Sequence, residues 1–220
     1  MVYVVKKLFF TNFLELNKLN HCLSFYENIK LKQMKSIVSI LIALIAMTGI
    51  AVAQELEVGD KAPDFKAVSD NGSSWDVKDY LGEKFIVVYF YPAAMTGGCT
   101  AQACSYRDMQ SQINSADAVV VGVSGDNVEG LRHFKEANNL NFPLLSDEKG
   151  EIAKKFGVPT RDGGSITREI DGATIELVRG VTASRWTFII GKNGKIVYKN
   201  TNVNVSNDSK EILDYIKNNS

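Results

Sequence analysis

The sequence is short of cysteine, histidine and net charge. Its 220 residues include 3 cysteines and 2 histidines. Lysine plus arginine number 25, as do the acids, so the formal charge is zero. Balanced charge, with no strongly basic run, argues against nucleic acid or an anionic membrane surface as the main partner. A structural zinc site needs four ligands, usually cysteine and histidine, and so few of either argue against one. A cysteine hydrolase needs a histidine base within reach of its nucleophile. His133, the one histidine beyond residue 53, falls off the apolar face of a helix-patterned stretch and is expected to be solvated. Internal repeats and low-complexity segments are also lacking. The length suits one globular domain with a short extra segment.

The extra segment is at the front. Residues 37–53 read IVSILIALIAMTGIAVA, uncharged, after Lys30, Lys32 and Lys35 and before Gln54 and Glu55. Basic, then apolar, then small (Ala51 and Ala53) is the layout of a secretory signal peptide. Its 17 residues fall short of the roughly 20 that span a membrane comfortably, so cleavage after Ala53 is expected over a retained anchor. Residues 1–33 carry Glu15 and Glu27 and no arginine, unlike a transit peptide. Met34 directly precedes KSIVSIL, and residues 1–33 read as an over-extended start. The expected division is therefore 1–33, a signal segment at 34–53, and a domain at 54–220. Export places that domain in an oxidising compartment, without Cys22.

Within the domain, FIVVYFY (85–91) and AVVVGV (118–123) are apolar and rich in β-branched or aromatic residues. Such runs predict strands buried on both faces. The 25 or so residues between them suffice for a crossover helix, so the two strands should run parallel. NVEGLRHFKEANNL predicts a helix burying Val128, Leu131 and Phe134, FPLLSD a short strand, and EIAKKFGV a short helix ended by Gly157. WTFIIGKNGKIVYKN reads as a hairpin turning at Asn193-Gly194. SNDSKEILDYIKNN reads as a helix with Asp208 and Glu211 at capping-box spacing. Residues 160–183 are polar, with a second hairpin signal at Asp171-Gly172, and read as an edge hairpin, a flap or a plain surface excursion. Strands alternating with helices predict an α/β sandwich with a mixed central sheet flanked by helices.

Cys99 and Cys104 stand just after a strand that stops at Pro92. Their spacing is wider than the Cys-x-x-Cys of thioredoxin-type dithiols. If the chain is helical from Gly97, the two differ by about 140° around the axis and about 7.5 Å along it. A disulfide wants Cα atoms about 4.4–6.8 Å apart, so the pair bonds only if that helical stretch unwinds. A structural staple remains an alternative, but so short a loop restricts the unfolded chain little. A pair that bonds after a rearrangement fits a redox cycle better. Cys99 sits at the expected helix start, where unpaired N–H groups and the dipole favour an anion, the nucleophilic form of a thiol. Thr96 offers a hydroxyl, and Arg107 and Arg185 are candidate fixed charges.

PAAMTGGC (Pro92, Thr96, Cys99) matches the Pro-x-x-x-Thr-x-x-Cys pattern of peroxiredoxins, of the AhpC/TSA group. FYP and GCTAQACSYRD most resemble the bacterioferritin-comigratory or Q-type subfamily, whose resolving cysteine lies five positions after the peroxidatic one. VGDKAPDF (58–65), VVGVSGDNVEGLRHF, FPLLSD and RWTFIIGKNGKIVY extend the resemblance along most of the domain. Gly97 stands where the subfamily often has proline, and residues 160–183 are longer than expected. The resemblance implies a thioredoxin-like fold and a thiol-dependent peroxidase acting on hydrogen peroxide and organic hydroperoxides. It implies Cys99 as peroxidatic cysteine, Cys104 as resolving cysteine, and Thr96, Pro92 and Arg185 as pocket residues. It also implies an intramolecular disulfide, a thioredoxin-like dithiol reductant, and no metal, haem or flavin cofactor. A monomer is expected, with an oligomer left open. Competing readings are an exported thioredoxin-fold domain exchanging thiols with proteins, and a non-enzymatic domain with a structural disulfide.

Overall fold

The computed structural model describes residues 30–35, 55–170 and 172–219. The chain divides into two units, Met1–Val52 and Ala53–Ser220. In the first, residues 30–35 are helical (α1). The apolar run 37–53, the expected cleavage after Ala53 and residues 1–29 lie outside the described residues. Among those described, no helix is long and apolar enough to cross a membrane.

The second unit runs, in order, β1 (Lys66–Ser69), β2 (Ser74–Asp76), β3 (Phe85–Phe90), α2 (Gly97–Ser115), β4 (Ala118–Ser124), α3 (Val128–Ala137) and β5 (Leu144–Ser146). It continues with α4 (Glu151–Lys155), β6 (Thr160–Ile170), β7 (Ala173–Ala183), β8 (Trp186–Ile190), β9 (Ile196–Asn200) and α5 (Asp208–Asn219). Seven strands form one mixed sheet in the order β2-β1-β5-β4-β3-β8-β9. The apolar run at β3 puts it deep in this sheet, with all six residues buried. It pairs parallel with β4, Phe85 opposite Ala118, and antiparallel with β8, Phe90 opposite Trp186. The crossover between the two parallel strands is α2, as the spacing of the two runs predicts.

Strand alternation sends side chains of β3 to two cores. Val87, Tyr89 and the following Tyr91 pack with Tyr106 of α2, Leu131 and Phe134 of α3, and Ile212 of α5. Ile86, Val88 and Phe90 pack on the other face with Trp75, Ile152, Phe156 and Phe188. Each such large side chain contributes roughly 1.5–3 kcal/mol by leaving water. Gly122 in β4 allows the first core to close, because a Cβ there would lie 2.7 Å from the Tyr89 ring. This is the expected α/β sandwich with helices on both faces.

Several local expectations need correction. β1 and β2 form an antiparallel pair that the apolar pattern did not reveal. Their strands are short and partly exposed. In α3, Leu131 and Phe134 are buried, but Gly130 takes the third inward place and Val128 is half-buried. His133 is half-buried rather than solvated. The β8–β9 turn is wider than two residues: Gly191 N–H donates to the Lys195 carbonyl at 2.8 Å, and Gly194 supplies the positive φ of 72°. Residues 160–183 are no edge of the main sheet. They form a separate two-stranded sheet, β6 with β7, with Ile170 opposite Ala173 across Asp171-Gly172. Its base crosses the end of β4 so closely that a Cβ on Gly125 would lie 2.0 Å from the Val181 carbonyl oxygen.

Asp208 is the clearest correction. Its carboxylate does not cap α5. It is buried and accepts from Gln102, Tyr106 and Thr187 instead. Backbone groups open the helix, with Asp208 N–H on the Asn204 carbonyl at 2.9 Å and Glu211 N–H on the Asn207 carbonyl at 2.9 Å.

Candidate active site

The site lies where β3 leaves the sheet, beside the C-terminal end of its parallel neighbour β4. Pro92 follows Tyr91 and offers no N–H, which ends the ladder. The loop is then pinned from beneath: Ala94 N–H donates to Asp126 Oδ2 at 2.9 Å, and Ser124 Oγ donates to the same oxygen at 2.7 Å. Burial pushes the Asp126 carboxyl up, while these bonds and Arg179 act the other way. Met95 sits at φ 57°, an uncommon backbone for a residue with a Cβ. Two contacts hold it there: Arg168 of β6 donates to its carbonyl at 3.2 Å, and Asn138 Nδ2 lies 3.6 Å from its sulfur. The hairpin β6–β7 thus touches the loop that precedes the cysteine.

α2 begins immediately afterwards. Its first closing bond runs from Thr100 N–H to the Thr96 carbonyl at 2.8 Å. The N–H groups of Gly97, Gly98 and Cys99 precede that bond and have no intrahelical acceptor. Cys99 is buried at 2% exposure with its side chain in the Tyr89, Tyr91 and Tyr106 cluster. Burial pushes all three phenols well above their usual range, so they stay neutral around the sulfur.

Arg185 is carried in by β8. Because Trp186 pairs with Phe90, Arg185 stands level with Tyr91 at the mouth of the loop. Its Nη2 donates to Cys99 Sγ at 3.2 Å and its Nη1 to Gln102 Oε1 at 2.5 Å. Gln102 Nε2 donates to Asp208 Oδ2 at 2.7 Å. Burial pushes the Asp208 carboxyl up, and the bonds from Tyr106, Gln102 and Thr187 partly offset it.

The residues singled out from sequence do not all meet at one point. Cys99 and Arg185 are in contact, while Pro92 and Thr96 lie in the loop that leads from β3 into α2. Thr96 differs from expectation in its bonding: its hydroxyl donates to the Ala93 carbonyl at 2.9 Å, not to the sulfur. That leaves its lone pairs to accept. Arg107 is not at Cys99 but beside the other cysteine, its Nη1 3.5 Å from Cys104 Sγ and 2.7 Å from the Asn138 carbonyl. Cys104 is half-buried, with Asn138 Oδ1 4.0 Å from its sulfur. Both cysteines are free thiols on the regular helix α2. Gln102, Asn138 and Asp126 escaped the sequence reading. Gln102 had a signal, since three residues along a helix from Cys99 puts it on the same face.

A thiol at a helix start, paired with a guanidinium on a thioredoxin-like sheet, defines a cysteine-based oxidoreductase. Comparison with known proteins narrows the class. Residues 58–199 match the AhpC/TSA family. The chain is 37% identical over 162 residues to Peroxiredoxin Bcp of Bacillus subtilis, across 74% of this chain and 96% of that protein. It is 35% identical over 162 residues to Peroxiredoxin Bcp of Escherichia coli, with the same shares of 74% and 96%. The solved structure of peroxidoxin BcpB from Mycobacterium tuberculosis matches with a TM-score of 0.62 and 28% identity, covering 74% of this chain and 98% of that one. A peroxiredoxin Q mutant from Xylella fastidiosa shares the fold with a TM-score of 0.63 at 24% identity, over 76% of this chain and 98% of that one. The chain belongs to the AhpC/TSA family and is a peroxiredoxin, a thiol-dependent peroxidase.

Proposed function

We propose that Cys99 is the sulfur that attacks the peroxide and Cys104 the one that resolves the product. The observation that carries this is Arg185 Nη2 at 3.2 Å from Cys99 Sγ. A guanidinium cannot deprotonate, so it is a fixed positive partner for a thiolate and for the charge that spreads over the O–O bond. The thiolate attacks the terminal oxygen of hydrogen peroxide or an organic hydroperoxide. The S–O bond forms, the O–O bond breaks, and the leaving oxygen takes a proton to depart as water or an alcohol. Arg185 and the free N–H groups of Gly97, Gly98 and Cys99 face the developing anion. Thr96, its own proton given to Ala93, accepts the proton-bearing side of the peroxide, and Pro92 shapes the wall. Cys99 is left as a sulfenic acid. The Cys104 thiol displaces its hydroxyl as water, forming the disulfide, and a thioredoxin-like dithiol reduces that disulfide by exchange. Both sulfurs lie on one helix, so a monomer suffices for the cycle.

The test is consumption of hydrogen peroxide by the purified domain with a dithiol reductant. Arg185→Ala is expected to slow the reaction with peroxide about 100-fold, the usual scale for one anion-stabilising donor. Arg185→Lys should recover part of it, since a lysine keeps the charge but not the fork that also reaches Gln102. An Arg185→Ala enzyme as fast as the parent would remove Arg185 from the site.

We further propose that residues 34–53 direct export, that residues 1–33 are an over-extended start, and that the active domain is 54–220. The basic, apolar, small order of residues 30–53 supports it. Protein from the native host should begin at Gln54 by intact mass or N-terminal sequencing. A soluble, cytoplasmic form retaining residues 1–53 would refute export.

A further inference from the structure

We propose that Asp208 is a positioning residue of the peroxidase cycle, holding both Arg185 at the Cys99 sulfur and the opening segment of α2 in its wound form. The inference rests on the roles assigned above to Cys99, Cys104 and Arg185. It starts from a chain of bonds whose direction is forced. A carboxylate only accepts and a guanidinium only donates, so the Gln102 amide between them can face one way. Its nitrogen points to Asp208 at 2.7 Å and its oxygen to Arg185. Arg185 then points its second nitrogen at the sulfur. Asp208 therefore orients the guanidinium without touching the reacting atoms.

The same carboxylate grips the helix that must open. Tyr106 Oη donates to Asp208 Oδ2 at 2.7 Å, and Ser105 Oγ meets Ser209 Oγ at 2.5 Å. Three residues of α2, at 102, 105 and 106, are thus tied to the first turn of α5, and Cys104 lies among them. Gln102 lies between the two cysteines, on the segment whose conformation must change for their sulfurs to meet. If Gln102 and Tyr106 leave, Asp208 retains only Thr187 at 3.0 Å. Its Oδ1 is already buried with no donor among the described residues. A buried carboxylate stripped of its donors is costly, so the network resists unwinding and favours the wound state. Asp208 sets how the enzyme divides its time between attack and resolution.

The two steps are separable by stopped-flow fluorescence, because Trp186 adjoins Arg185. Asp208→Asn keeps the shape but removes the charge from three bonds. Peroxide attack should slow about tenfold and disulfide formation should quicken about tenfold, the scale of a charge-assisted hydrogen bond. Faster resolution should also leave less sulfinic acid, by mass, after excess peroxide. Tyr106→Phe removes one donor and leaves the Gln102 link. It should quicken disulfide formation about threefold and change attack less. It serves as the second variant if Asp208→Asn folds poorly. Equal slowing of both steps, or disulfide formation unchanged or slower in the variants, would overturn the proposal. Cys99→Ser is run alongside. If the phases vanish in Cys99→Ser yet ignore Asp208, the inference fails alone. If they survive Cys99→Ser, the assignment of the attacking sulfur fails and the inference falls with it.

Discussion

Cys99→Ser is expected to abolish peroxide turnover. A serine hydroxyl is not ionised near neutral pH and cannot replace a thiolate as nucleophile. The substitution is nearly isosteric in a cluster of neutral aromatic rings, so the fold should survive it and only the chemistry be lost. Cys104→Ser should behave differently. Its Cys99 still meets Arg185 at 3.2 Å, so one equivalent of peroxide is reduced at close to the parent rate. The reaction then stops at the sulfenic acid, with no second thiol to expel the hydroxyl as water. A dimedone-type reagent should label Cys99 in Cys104→Ser and nothing in Cys99→Ser. Further peroxide should drive the stalled enzyme up the oxidation ladder to sulfinic acid. Labelling in Cys99→Ser protein, with none in Cys104→Ser, would reverse the two assignments.

The environments of the two cysteines support this asymmetry. Cys99 is buried against a guanidinium at the helix start. Cys104 is half-buried one turn and a half further on, with Arg107 shared between its sulfur and the Asn138 carbonyl. Arg107 also pairs with Asp108 at 2.8 Å. Its charge is therefore divided among neighbours, whereas Arg185 gives Nη2 to the Cys99 sulfur and Nη1 to the neutral Gln102 amide.

What the sequence made legible is what local pattern encodes. The run 85–91 is too apolar and β-branched for anything but a buried strand, and Cys99 follows its end by too few residues to lie anywhere but the crossover. The angle between Cys99 and Cys104 comes from helix geometry alone. Arg185 was reachable only through the resemblance of the RWTF stretch, because the pairing of β8 with β3 that brings it to the loop is not written in the local pattern. Asp208 was misread because an acid followed three residues later by Glu211 has the same spacing whether it caps its own helix or turns into the core. Only the packing of α5 on α2 and β8 decides between them, and that packing joins residues about a hundred positions apart. Arg168 reaching Met95 is hidden for the same reason. Its approach depends on where the hairpin β6–β7 lies, and exposed alternating strands do not specify that. Thr96 was singled out for a hydroxyl aimed at the sulfur, but that hydroxyl turns to the Ala93 carbonyl instead, a choice set by loop geometry that residue spacing does not encode.

Oxidation should strip the start of α2 of its hydrogen-exchange protection. In the reduced protein Cys99 and Cys104 both lie within the helix Gly97–Ser115. Regular geometry separates them by about 140° and about 7.5 Å of rise, beyond the reach of a relaxed disulfide. The bond can therefore form only if helical hydrogen bonds in this stretch break. Amides such as those of Ala103 and Tyr106, buried in the reduced form, should exchange at least about 100-fold faster once the disulfide is made, approaching rates typical of locally open segments. Met109, packed at the edge of the same core, should follow. β3 has both its neighbours, β4 and β8, outside the unwinding segment, so its amides should keep their protection. The start of α5 is tied to α2 through Asp208 and Ser209, so it should gain exchange too, whereas the β8–β9 turn should not. The measurement is amide exchange by mass spectrometry on reduced and peroxide-treated protein, with the disulfide verified by intact mass. Equal protection across Cys99 to Met109 in both redox states would mean that the two sulfurs meet without unwinding α2, and the resolving step described here would be wrong.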